Sequence, residues 1–175
     1  EILQPIGAPG GQVWVNRPGG VAHSGCCLML PAEAWLRLGI LLSTDGVWQG
    51  KRLLPVGYVN EMRRPTRENP YYGLGVYVAG DYTPRRGFAH PEREADSRKV
   101  LHSEPYLAPD LFLFDGNANQ VVYIIPSERL VILRMGDNPP RGEGQEWDNT
   151  VLPNTVLRGI LRARAGAALN GPDSR

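Results

Sequence analysis

"DLFLFDGNANQVVYIIPSERLVILRMG", Asp110 to Gly136, decides how this chain is read. Val121, Tyr123 and Ile125 alternate with Val122 and Ile124, so both faces of this strand are apolar. A strand apolar on both faces is covered on both faces, which makes it central in its sheet. "PSER" turns the chain into a second strand, Leu130 to Met135. The polar cluster "DGNANQ" stands just ahead of the central strand, behind another extended run at 111–116. A purely structural hairpin does not need Gly, Asn and Gln there, whereas the wall of a functional site does.

Outward from this core the chain alternates helix and strand signals. "PAEAWLRLGILL", Pro31 to Leu42, reads as a helix with Trp35, Leu38 and Leu42 at helical spacing and Glu33 at its positive end. "VWQGKRLLP" is a turn-containing connector, and Pro55 to Pro65 is a short helix bounded by prolines. "YYGLGVYVAG" alternates as a strand over 72–79, with Gly73 and Gly75 leaving one face bare for a close backbone or ligand. Residues 80 to 109 form a long charged stretch, and loops of that length are usually functional or disordered. A last helix starts near Pro153, with Val156, Leu157, Ile160 and Leu161 inward. These elements predict an α+β fold: an antiparallel sheet over 72–79, 111–116, 120–126 and 130–135, with helices on both faces. Residues 1–165 are expected to form one unit, and 166–175 a flexible tail.

The 175 residues are 42% hydrophobic and 21% charged, with a net charge of +1, which gives no signature of nucleic-acid binding. No apolar run reaches the roughly 20 residues of a membrane span. No metal-ligand spacing and no dinucleotide or phosphate-loop pattern occurs, so no cofactor and no metal are expected. Cys26 and Cys27 are adjacent; neighbouring cysteines rarely bridge each other, so both are expected reduced and at least one buried. The opening "EILQPIG" reads as a helix tail stopped by Pro5, as if an earlier half preceded it. The compartment is not legible from that start.

Three segments carry a resemblance. "GILLSTDGVWQGKRLLP", "NPYYGLGVYV" and "APDLFLFDGNANQVVYIIPSERLVILRMG" are similar, in order, to segments of serine hydrolases with the class C β-lactamase fold, a group that includes penicillin-binding proteins, esterases and amidases. The likeness spans about Glu1 to Leu161. It implies part of a β-lactamase/transpeptidase-like fold, and acyl-enzyme chemistry on a small ester or amide. In that chemistry the serine of an S-x-x-K motif attacks, with the lysine and the tyrosine of a Y-x-N motif moving the proton. A strand motif, K-T-G or H-x-G, lines the pocket, and the main-chain N–H after it helps hold the oxyanion. Many members of the group are exported or membrane-attached.

The chain departs from this pattern. Trp48 and Asp96 stand three residues before Lys51 and Lys99, the only lysines, so no S-x-x-K and no nucleophile are present. "YVN" at Tyr58 to Asn60 and "HSG" at His23 to Gly25 mimic motifs in the wrong places. Counting back from Pro126 puts the strand motif at Leu111, Phe112 and Leu113, followed by Phe114. Leu111 replaces the polar first residue and cannot orient a carboxylate. That favours an apolar acyl pocket lined by Leu111 and Leu113, with the Phe114 N–H as oxyanion donor.

Tyr72 on the Gly-rich strand and His102 in the long loop complete the candidate pocket. The plainer readings are a sheet tyrosine and a surface histidine near Glu104. His90 reads as plain loop. The expectation is the C-terminal part of a serine hydrolase whose intact parent is an enzyme and whose isolated chain is inactive. The alternative is a degenerate relative that binds a ligand or partner in the old cleft. Either way, the missing N-terminal half or another chain is expected to cover apolar surface left exposed on the helix at 31–42 or on the sheet.

Overall fold

A computed structural model describes residues 2–23, 27–87, 99–137 and 144–169. The elements in chain order are β1 (Gln12–Val13), β2 (Leu28–Met29), α1 (Ala32–Ser43), β3 (Val47–Trp48), β4 (Lys51–Arg52) and α2 (Tyr58–Met62). They continue with β5 (Tyr77–Val78), β6 (Arg85–Arg86), β7 (Val100–Leu101), β8 (Phe112–Asp115), β9 (Val121–Ile125), β10 (Leu130–Arg134) and α3 (Val151–Leu169). The fold is α+β.

The central sheet has the order β10-β9-β8-β5, and every pairing is antiparallel. Leu130 opposes Ile125 across one hairpin, and Phe114 opposes Val122 across the other. β9 is buried along its whole length, as its two apolar faces require. Val122 and Ile124 pack with Phe112, Val78 and the α1 residues Leu41 and Leu42. Val121, Tyr123 and Ile125 pack on the other face with Leu111, Leu113 and Leu157 of α3. A Cβ on Gly39 of α1 would stand 2.7 Å from Val131 and 3.2 Å from Val122, so a residue without one lets the helix lie close on the sheet.

Several expectations change. The strand expected over 72–79 is a bridge, a tight turn and a short strand. Tyr72 bridges Tyr77, Gly75 turns the chain at φ 76, and Leu74 is left exposed at the tip. The bare face does receive backbone: a Cβ on Gly73 would lie 2.0 Å from the Met62 carbonyl, which accepts from the Leu74 N–H. The long stretch at 80–109 carries the β6–β7 hairpin. His90 and residues 88–98 lie outside the described residues, as do Ser24, Gly25 and Cys26. α3 runs through Gly166 to Leu169, so the tail expected from 166 begins as helix. Alanine and arginine, both strong helix formers, are frequent there.

The reduced state expected of Cys27 is also corrected: its sulfur is disulfide-bonded. Cys27 turns the chain at φ 74 into β2, where Leu28 and Met29 are exposed. Exposed apolar side chains concentrate on β1, β2 and their connection, at Val13, Trp14, Val15, Val21, Leu28 and Met29. On α1, where exposure was expected, Ile40 is exposed. Among the described residues no helix is long and apolar enough to cross a membrane.

Candidate functional site

The polar cluster "DGNANQ" is the bend between β8 and β9. Ala118 and Asn119 sit at φ 61 and φ 58, a conformation that costs energy for residues with a Cβ and persists only when held. β10 holds it. Arg134 Nη1 donates to the carbonyls of Ala118 (2.8 Å) and Asn119 (3.2 Å), and its guanidinium lies 5.1 Å from the Trp147 ring centroid. The Gln120 side chain accepts from the Gly136 N–H at 3.0 Å and donates to the Gly136 carbonyl.

Asp115 ends β8 at the mouth of this bend. Its Oδ2 accepts from Asn149 Nδ2 at 2.7 Å, while its Oδ1 is buried without a hydrogen-bond partner. Asn149, buried, is the hub. Its Oδ1 accepts from the Tyr123 hydroxyl (3.0 Å) and from Trp147 Nε1 (2.8 Å). No Lys or Arg pairs with Asp115 among the described residues. Burial therefore pushes its carboxyl up to about 6, partly opposed by the Asn149 hydrogen bond.

The main chain of β8 alternates between its neighbours. On one side the Gly116 N–H donates to the Gln120 carbonyl (2.9 Å), which turns Phe112, Phe114 and Gly116 toward β9. On the other, the Ala79 N–H donates to the Leu111 carbonyl (2.9 Å), which turns Leu111, Leu113 and Asp115 toward β5. β5 begins at Tyr77, opposite Leu113, because Gly75 has already turned the chain aside. The Asp115 N–H consequently faces an open edge with no partner among the described residues.

The sequence-predicted residues do not converge on one surface. Leu111 and Leu113 are 1% and 2% exposed, core residues on the α3 side, and present no surface to a ligand. Phe114 is directed by the same alternation: its N–H lies on the β9 side, and its ring packs on the α1 side, 5.9 Å from Trp35. Tyr72 is half-buried, edge-on to Tyr77 at 4.8 Å. His102 is buried rather than on the surface, and Glu104 pairs with Arg158 instead. The Val100 carbonyl can only accept, so His102 carries its proton on Nδ1 (3.0 Å), and Nε2 accepts from the Tyr106 hydroxyl (3.3 Å).

Beside His102 lies the buried Arg86, whose guanidinium stacks over Tyr71 at 4.3 Å and Tyr106 at 5.6 Å and donates to the Val78 and Asp81 carbonyls. Burial first, and the Arg86 charge second, push the imidazole down to about 4. Sequence reading gave no role to Asp115, Arg86 or Asn149. Asp115 alone had a signal, as an acid inside an otherwise apolar strand. Among the described residues, no three His, Cys, Asp or Glu side chains are placed to hold a metal ion. Comparison with known proteins returns no matching family model and no matching curated protein.

Proposed function

We propose that this chain is the C-terminal part of a serine hydrolase that acts on ester or amide bonds through an acyl-enzyme, with its nucleophile supplied from outside the chain. The observation that carries the reading is the open edge of β8. There a main-chain donor, the Asp115 N–H, has no partner among the described residues where the sheet ends, beside a braced bend. A donor held by a sheet needs no reorganisation to meet developing negative charge, which is what acyl transfer requires. The role assigned to Phe114 in the sequence moves one residue on, because alternation turns the Phe114 N–H into the sheet. The order of the three resembling segments also supports this reading.

The chain by itself holds no Ser-x-x-Lys, and a donor without an activated nucleophile leaves only residual catalysis. The 175-residue chain is expected to show no turnover of p-nitrophenyl butyrate and no labelling by a fluorophosphonate probe. A longer parent carrying S-x-x-K and Y-x-N is expected to do both. Stoichiometric labelling of the chain alone would refute its assignment as the part without the nucleophile. A motif-bearing parent that neither labels nor turns over would favour the degenerate ligand-binding reading.

A further inference from the structure

The geometry points to a gated anion site at Asp115: its main-chain N–H receives a carboxylate or carbonyl oxyanion, and its own side chain admits that anion only when protonated. This deepens the hydrolase reading and rests on it for the identity of the oxyanion, but not for the gate.

Two features of one residue carry the inference. The N–H faces the open edge beyond β5. The carboxyl of the same residue, a few bonds away, has one oxygen on Asn149 and the other buried without a partner. Around it stand Tyr77 from β5, Tyr123 from β9, Tyr106 from the segment before β8, and Trp147 with Asn149 from the approach to α3. Of the charged groups nearby, Asp148 shares the field acting on Tyr106 and Tyr123, and Arg134 is spent on the bend carbonyls and Trp147. Arg86, which shares with Asp115 the field acting on Tyr106, is spent on the Val78 and Asp81 carbonyls and the Tyr71 and Tyr106 rings, and among the described residues no Lys or Arg pairs with Asp115. An ionised carboxylate would repel any anion at the neighbouring N–H, and partial burial keeps water from screening that repulsion. Protonation removes it while the N–H stays where the sheet puts it. A carboxyl held near 6 makes the change at mildly acidic pH.

The test uses the whole 175-residue chain and formate as the probe anion. The Asp115 amide is followed by ¹⁵N–¹H correlation spectra, and its side-chain carboxyl by ¹³C. Near pH 5 formate should shift the Asp115 amide saturably. Near pH 8 its affinity should fall at least tenfold, as expected for unscreened like charges. Asp115→Asn should bind equally at both pH values. The wild-type pH dependence alone decides the gate if the variant folds poorly. Equal affinity of the wild type at both pH values, or an amide that never responds in either protein, would overturn the inference. Gated formate binding in a chain whose motif-bearing parent fails the esterase and labelling assays would keep the gate and discard the hydrolase.

Discussion

Asp115 and His102 are two buried titratable groups whose effects on stability run in opposite directions. Asp115 holds its proton more tightly folded than unfolded, about 6 against 3.8. Its contribution is therefore fully present below about pH 4 and is lost as pH rises through 6, a change of about 3 kcal/mol. His102 is held neutral, about 4 against 6.5. Its contribution is fully present above about pH 6.5 and is lost as pH falls toward 4, by a similar amount. Over this shared window the two cancel in the wild type. Asp115→Asn should expose the histidine and make the protein less stable on acidification. His102→Gln should expose the carboxyl and make it more stable. Urea midpoints at several pH values between 4 and 7 give the two slopes, and slopes of the same sign would contradict the assignment.

At the scale of elements, α1 lies close on the β9–β10 hairpin through Gly39 against Val131 and Val122. Alanine favours a helix over glycine by about 1 kcal/mol, yet its methyl would force the Val131 side chain or the helix to move. Gly39→Ala should therefore destabilise by about 1–2 kcal/mol. In a Val131→Ala background, where the space is free, the same change should be neutral or stabilising. Thermal denaturation of the four proteins of this cycle measures the coupling, and additive effects would show that the approach is not tight. Within the site, Tyr123→Phe leaves Asn149 one hydrogen bond short and should cost about 1 kcal/mol.

For the whole molecule the telling contrast is between the sheet, closed by helices on both faces, and the β1–β2 region. Trp14 is 60% exposed and Val21 77%, among four other exposed apolar side chains. Exposed apolar side chains gathered in one region favour contact with an apolar ligand or partner. The chain should bind a hydrophobic dye such as ANS in its native state. Trp14→Ser combined with Val15→Thr should reduce that signal at least twofold without lowering the melting temperature, because neither side chain is in the core. An unchanged signal would place the dye elsewhere.

Local patterns in the sequence determined the α+β class, the position of α1 and the antiparallel hairpin. The two-sided apolarity of Val121–Ile125 requires cover on both faces, and helical spacing at Trp35, Leu38 and Leu42 supplies one of the covers. Gly75 and Cys27 escaped this reading, because a left-handed turn and a disulfide leave no periodic trace. The candidate site was legible only in outline. "DGNANQ" marked a special bend, but which N–H stays open depends on where β5 stops and on the phase of the β8 ladder. The sequence shows Asp115 only as an acid inside an otherwise apolar strand. Its raised carboxyl comes from burial beside Asn149, 34 residues away, and His102 is neutral because the fold buries it beside Arg86. Such properties depend on how much water a group loses and which charges it then faces, and only the tertiary structure brings those distant residues together.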